Sequence, residues 1–230
     1  MKISIIIPCF NEEKTLSKIV HKVLQFQSFE KEIIIVDDCS IDNTPNIIKD
    51  LALRFKEIKT IRHEKNYGKG AGIKSGVNAS TGDIVLIQDA DLEYNPEDFD
   101  NLLEPFLKTD ADVVYGSRFL GGKYVRLSFF WHYIANKLLT TLCNTFTNLN
   151  MTDMETGYKL FKSEAIKSIN LKENSFGIEP EITIKLAKKK YIFYEVPISY
   201  SGRSYDEGKK IGLKDAFVAV YCIIKYRFIN

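Results

Sequence analysis

Apolar residues in the first half of the chain fall into two alternating patterns. Short, mostly apolar runs occur at residues 3–7, 32–36 and 84–88 and read as buried strands, and residues 58–62, with Ile58 and Ile61, read as a further strand. Between them, apolar positions recur every three or four residues. Residues 12–27 place Leu16, Ile19, Val20, Val23 and Leu24 on one face, and residues 44–55 and 69–79 complete a set of three helices. Largely apolar strands separated by amphipathic helices predict an α/β fold, with a mostly parallel sheet covered by helices on both faces. Beyond Asp110 the alternation loosens. A strand is expected at 111–115, then a basic, glycine-containing loop from Gly116-Ser117-Arg118 to Arg126. A long helix over 127–148 carries Trp131, Ile134, Leu138 and Leu142 on one stripe. A late strand over 192–197 and an apolar helix over 208–226, opened by Lys209-Lys210, close the chain. The pattern predicts a single globular unit over residues 1–230.

Ligands of such sheets bind outside the carboxyl ends of the strands. There the chain places Pro8-Cys9-Phe10-Asn11-Glu12, Asp37-Asp38-Cys39-Ser40 and Asp89-Ala90-Asp91. On a strand continuing regularly, Asp89 and Asp91 would face the same way. Two such carboxylates suit one hard divalent cation that is shared with substrate phosphates, although Asp also clusters in solvated turns. Asp37-Asp38 suits a ribose or base; the plainer alternative is a helix start capped by Asp42 or Asn43. Asn66-Tyr67-Gly68-Lys69-Gly70-Ala71-Gly72 is neither a dinucleotide nor a Walker fingerprint. Either Lys69 and its backbone N–H groups meet a nucleotide, or the glycines allow close packing at a helix start.

Composition narrows the partners. A net charge of +2 gives no general attraction to nucleic acid. Cys9, Cys39, Cys143 and Cys222 are scattered, which argues against a zinc site or a disulfide framework. No run approaches about 18 uninterrupted apolar residues, so no membrane-spanning helix is expected. The opening apolar run is too short for a signal peptide and leads at once into Asn11-Glu12-Glu13. The expected location is cytoplasmic.

The motifs taken together resemble family 2 glycosyltransferases of the GT-A fold, over essentially the whole chain and in the same order. Pro8-Cys9-Phe10-Asn11-Glu12-Glu13, Val36-Asp37-Asp38-Cys39-Ser40-Ile41-Asp42, Gly68-Lys69-Gly70 and Asp89-Ala90-Asp91 carry that resemblance. Gly116-Ser117-Arg118, Asp153-Met154-Glu155-Thr156-Gly157-Tyr158-Lys159 and Val196-Pro197-Ile198-Ser199-Tyr200 resemble the dolichol-phosphate mannose synthase branch. The resemblance implies a Rossmann-like single domain in which residues 1–115 bind the nucleotide sugar and 116–230 the acceptor. It implies that Pro8, Phe10, Glu12, Val36, Asp38, Lys69 and Ala90 contact a GDP- or UDP-linked donor. Asp89 and Asp91 would ligate Mg²⁺ or Mn²⁺, with Glu93, where the branch often has Gln, as a third ligand. Arg203 and Lys209 match positions near the donor phosphates. Arg118 and Arg126 would meet the phosphate of a polyprenyl acceptor, and Asp153 would stand among the catalytic residues. The sequence departs from the branch pattern over 121–126.

The residue types suit that chemistry. A departing nucleoside diphosphate needs its charge neutralised, which a metal and basic side chains supply, and Arg donates to phosphate in pairs. A lipid monophosphate is already anionic and demands no strong base, so Asp153 and Glu181 are expected to orient groups; the plainer alternative for Asp153 is a helix cap or an ion pair with Lys159. Phe129, Phe130, Trp131 and Tyr133 beside Arg126 and Lys137 suit either a peripheral membrane surface or a core helix. Helices 127–148 and 212–226 are the candidates for membrane contact. A soluble glycan or protein acceptor is the competing enzymatic reading. A nucleotidyltransferase is disfavoured because Cys9-Phe10-Asn11-Glu12-Glu13 has no glycine or basic residue. A non-catalytic nucleotide-sugar-binding module would need fewer charged groups than are present.

Overall fold

The computed structural model describes residues 1–127, 130–202 and 213–229. One seven-stranded sheet organises them. Its strands are β1 (Lys2–Cys9), β2 (Glu30–Asp37), β3 (Ile58–Arg62), β4 (Ile84–Ile87), β5 (Val113–Ser117), β6 (Lys159–Lys162) and β7 (Phe193–Pro197), in the spatial order β3-β2-β1-β4-β6-β5-β7. All pairings are parallel except those of β6 with β4 and β5. Ile5 of β1 stands beside Ile33 of β2 and Leu86 of β4, so the most apolar strands form the centre.

Strand alternation divides the core between the two faces. Ile3, Ile5 and Ile7 pack with Leu16, Ile19, Val20 and Val23 of α1 (Leu16–Gln25), with α2 (Thr44–Arg54), and with Leu102 and Leu103 of α4 (Phe99–Lys108). Ile6, Val85 and Ile87 pack on the other face. Their partners are Ile73 and Val77 of α3 (Lys69–Ala79), Cys143 of α5 (Phe130–Thr147), Ile166 of α6 (Ser163–Lys167), Ile182 of α7 (Ile178–Lys188) and Cys222 of α8 (Leu213–Phe228). Each fully buried aliphatic side chain contributes about 1.5–3 kcal/mol through removal from water.

The chain order reverses between β1 and β4, because β2 and β3 follow β1 in one direction while β4 lies on its other side. Loops after these two strands therefore open a crevice at the carboxyl ends. The first expected helix begins at Leu16 rather than Glu12. Residues 12–15 instead form a turn in which the Glu12 carbonyl accepts from both Thr15 N–H and Leu16 N–H, at 3.2 and 2.9 Å. This keeps Glu12 in the loop beside the crevice.

The long helix α5 does not bury the stripe read from the sequence. Trp131 and Leu138 are 75% and 67% exposed, while Thr140 and Cys143 turn inward. In α8 the inward residues are Ala219, Cys222, Ile223 and Tyr226, leaving Phe217, Tyr221 and Phe228 exposed. Among the described residues no helix is long and apolar enough to cross a membrane.

Candidate active site

A cavity of about 620 Å³ lies at the crevice. Its wall includes Pro8, Phe10, Glu12, Asp38, Lys69, Asp89, Ala90, Asp91, Glu93 and Arg118, which were singled out from the sequence at widely separated positions. Val36 is buried within β2 and does not reach this wall. Asp153 stands behind Arg118 rather than on the wall. Arg126 is exposed, off the cavity wall, with its backbone N–H donating to the Tyr200 carbonyl at 2.8 Å. Phe129, Arg203, Lys209 and Lys210 lie outside the described residues, as does the start of the last helix before Leu213.

Both oxygens of Asp38 serve the glycine-rich loop. Oδ1 accepts from Tyr67 N–H at 2.9 Å and Oδ2 from Gly68 N–H at 2.7 Å, while His63 Nδ1 lies 2.7 Å from Oδ1. Gly68 has φ +100°, and a Cβ there would stand 2.5 Å from the Asn174 carbonyl oxygen. Glycine therefore meets both a backbone and a packing demand, and the helix that follows is aimed by Asp38. Asn43 stands at the N-cap of α2 without a side-chain cap bond, and Asp42 before it accepts from Thr44 N–H through Oδ1 at 3.0 Å. Asp37 is engaged separately, accepting from Ser40 N–H at 2.9 Å and facing Arg62 at 3.3 Å.

Asp89 and Asp91 follow β4 after it has ended at Ile87, so strand alternation does not set their direction. A turn carries them instead, with Leu92 at φ 66° and Glu93 N–H donating to Asp91 Oδ1 at 3.1 Å. Both still face the same cavity. Lys69 Nζ lies 2.8 Å from Asp89 Oδ1 and 3.4 Å from Glu179 Oε1. Glu179 in turn meets the fully buried Lys159 at 2.6 Å. Charges thus alternate from the rim inward: Asp89, Lys69, Glu179, Lys159. Burial works to lower the Lys69 pKa, but Asp89 and Glu179 outweigh it and raise it above the ordinary lysine value.

The Asp89 carboxylate also depends on Gly157. A Cβ at Gly157 would stand 2.4 Å from Asp89 Oδ2 and 2.8 Å from the Tyr94 ring, and Gly157 N–H donates to Tyr94 Oη at 2.7 Å. The missing side chain leaves room for an oxygen-rich cradle. Among the described residues, no three His, Cys, Asp or Glu side chains gather closely enough to enclose a metal by themselves. The two carboxylates fit a cation that completes its shell with substrate oxygens and water. Glu93 has another engagement, its Oε2 accepting from Tyr200 Oη at 2.7 Å.

Arg118 also borders the cavity. Its guanidinium donates to both oxygens of Asp153, and its plane lies 5.1 Å over the Tyr200 ring. Burial works to raise the Asp153 pKa, but the Arg118 charge and hydrogen bonds, with Asn136, hold it below the usual carboxylate value. Glu181 lies away from the cavity wall, accepting from the N–H groups of Lys172 and Glu173 at 2.8 and 2.7 Å. It anchors the segment that packs on Gly68, so its orienting role is structural.

The wall residues that the sequence did not single out include Glu155, Asn136, Glu179 and Ser175, along with Tyr94, His132, Phe176 and Asp215. Glu155 sat inside a quoted motif without being weighed. Glu179 lies on a helix whose inward positions include Glu179, Glu181 and Lys185, so the hydrophobic period is masked. From α5, Trp131, Ala135 and Leu139 recur every four residues along the cavity, with Ala216 contributed by α8.

The family described as Glycosyl transferase family 2 matches residues 4–169. A dolichol-phosphate mannosyltransferase of Pyrococcus furiosus is 29% identical over 215 residues, covering 92% of this chain and 60% of the relative. A dolichyl-phosphate β-glucosyltransferase of Trichomonas vaginalis is 29% identical over 218 residues, covering 86% of this chain and 65% of the relative. The chain thus spans less than two thirds of either named enzyme. An uncharacterised protein of Methanocaldococcus jannaschii is 30% identical over 90% of this chain and 93% of its own length. Among solved structures, glucosyl-3-phosphoglycerate synthase of Mycobacterium tuberculosis, in complex with Mn²⁺, UDP and phosphoglyceric acid, superposes with a TM-score of 0.76. That comparison covers 100% of this chain and 79% of the synthase at 18% identity, a likeness of fold.

Proposed function

The chain belongs to glycosyltransferase family 2, and from that premise we propose that it moves a hexose from a nucleoside-diphosphate donor to a polyprenyl phosphate. The observation that carries this reading is one cavity with two characters. Asp89, Asp91, Lys69 and Arg118 line it with charge, and Trp131, Ala135 and Leu139 of α5 line it with apolar side chains. A phosphorylated lipid needs both. The names of the P. furiosus and T. vaginalis relatives support the same class of acceptor.

In this reading residues 1–115 hold the donor and 116–230 the acceptor. Pro8, Phe10, Glu12 and Lys69 border the nucleotide, while Asp38 sets the glycine-rich loop around it. Asp89 and Asp91 hold Mg²⁺ or Mn²⁺, which neutralises charge on the departing diphosphate. Arg118 commits two guanidinium N–H groups to Asp153, which leaves others to meet a phosphate oxygen. Asp153 is a positioning residue here: it fixes the plane of Arg118 and takes no proton. The acceptor oxygen is anionic before it attacks, so inversion at the sugar carbon needs no general base. Arg203 and Lys209 are further candidates for the donor phosphates.

The exposed aromatic residues of α5 and α8, Phe130, Trp131, Phe217 and Tyr221, support peripheral docking at a membrane surface, where such an acceptor resides. A screen of GDP- and UDP-hexoses with Mn²⁺, offering detergent-dispersed polyprenyl phosphate or soluble glycans, tests the proposal. Transfer to the lipid is the expected result, and transfer confined to soluble acceptors contradicts it.

A further inference from the structure

Glu155 is a cavity residue that the transfer just described leaves unused. Its Oε1 is shielded from water and has no hydrogen-bond partner, while the residue itself borders the cavity. Native proteins rarely leave a buried carboxylate oxygen unpaired, and a missing ligand group is one reason they do. The backbone around it is firmly held. Asp153 N–H donates to Glu195 at 3.1 Å, Thr156 Oγ1 to the Gly116 carbonyl at 2.5 Å, and Gly157 N–H to Tyr94 Oη at 2.7 Å. Glu155 is therefore presented by a rigid frame, as a recognition group should be.

Its surroundings narrow the ligand. Burial and then the charge of Glu179 push Glu155 up to about 7, with Lys159 and Arg118 offsetting only part of this. Glu155 and Glu179 disfavour a second anion at this spot, although Lys159 and Lys69 offset part of the Glu179 charge. A neutral hydroxyl group therefore suits it better than a phosphate. The nucleotide sugar offers one in its hexose hydroxyls, while its ribose hydroxyls are the chemical competitor.

We propose that Glu155 reads the donor sugar, its carboxyl forming a hydrogen bond with one hexose hydroxyl and so discriminating among hexoses. The inference rests on the cavity being a nucleotide-sugar site and adds the residue that selects the sugar. A site built around a hydrogen bond rejects analogues lacking the matching hydroxyl, because its polar group is left unpaired.

Calorimetric titration of the full chain with UDP, UDP-glucose, GDP and GDP-mannose, each with Mn²⁺, tests this in the wild type, Glu155→Ala and Glu155→Gln. Thermal unfolding verifies that both variants fold. For the nucleotide that binds, Glu155→Ala is expected to weaken the sugar-linked form by about 10–100-fold, the size of one hydrogen bond to a charged group, with affinity for the bare nucleotide unchanged. Glu155→Gln, which keeps a carbonyl acceptor, retains part of the difference. Among monodeoxy-hexose donors, one should bind the wild type as weakly as its parent binds Glu155→Ala; a 2′-deoxyribose donor should not. Equal weakening of bare and sugar-linked nucleotide, or no weakening of either, overturns the proposal. Wild-type binding of nucleotide with no gain from the sugar overturns it alone, whereas no nucleotide binding at all overturns the cavity assignment too.

Discussion

Arg118 and Asp153 are joined at two points, Nε to Oδ2 and Nη2 to Oδ1, each at 2.6 Å. The Arg118 backbone N–H adds a third bond to Oδ2 at 3.1 Å, and Asp153 has no exposed surface. A carboxylate so fully engaged holds its partner in place and is poorly suited to receive a proton from substrate. Asp153→Asn is therefore expected to lower kcat about 10–100-fold while donor affinity stays within about twofold. The remaining turnover should keep the wild-type pH profile. Complete loss of turnover with normal binding of both substrates would instead identify Asp153 as a base. Asp153→Ala should also lower stability by about 3–5 kcal/mol, because a buried guanidinium loses its partner.

Asp89 and Asp91 are expected to provide the protein's share of a metal shell, and Glu93 to brace Tyr200. In calorimetry, Asp89→Ala and Asp91→Ala should each lose the gain in nucleotide affinity that Mn²⁺ confers on the wild type. Glu93→Gln should keep most of it. Loss in Glu93→Gln equal to that in Asp91→Ala would make Glu93 a third ligand.

Glu155 gives stability a pH dependence with a definite sign. Its pKa is about 7 in the folded chain against an ordinary 4.5, so the native state binds the extra proton. The associated stability is present in full below about pH 4.5 and is lost as pH rises through 7. Glu155→Gln should therefore be more stable than the wild type at pH 8, by on the order of 1–3 kcal/mol, with the difference shrinking towards pH 5. Denaturant midpoints measured at both pH values decide this. A difference independent of pH would show that Glu155 does not titrate in this range.

Phe217 and Tyr221 project from α8 at 76% and 62% exposure. Replacing both with Ser should weaken co-sedimentation with vesicles of mixed zwitterionic and anionic phospholipid by at least about tenfold, through loss of apolar area. Nucleotide binding should stay unchanged. Undiminished sedimentation would remove this face from the membrane account.

The first half of the fold was legible because β1, β2 and β4 are dominated by apolar runs and its helices keep a clear period, while β3, Ile-Lys-Thr-Ile-Arg, is a more polar strand at the sheet edge. Strands β1 to β4 and helices α1 to α3 lie close to where the pattern places them. The second half hides its elements. The four-residue β6, Lys159–Lys162, has only two apolar residues, and α4 carries an internal Pro105. In α7 the inward positions hold Glu179, Glu181 and Lys185, which meet partners that a linear sequence does not reveal. The site shows the same division. Residues after β1 and β4 were found because strand ends at a chain reversal collect ligand groups. Glu155 and Asn136 needed the fold, since only tertiary packing brings them to one cavity. Val36 illustrates the converse: it belongs to a recognisable motif yet lies beneath the wall.

Whether one cavity joins a nucleotide-sugar site to a lipid-phosphate site is read from the partition of a radiolabelled hexose between organic and aqueous phases, after incubation of the full chain with labelled GDP- or UDP-hexose, Mn²⁺ and polyprenyl phosphate. Label is expected in the organic phase with at least one donor, and Asp91→Ala should abolish it. Label reaching only soluble glycans, with none in lipid from any donor, would contradict a joint site.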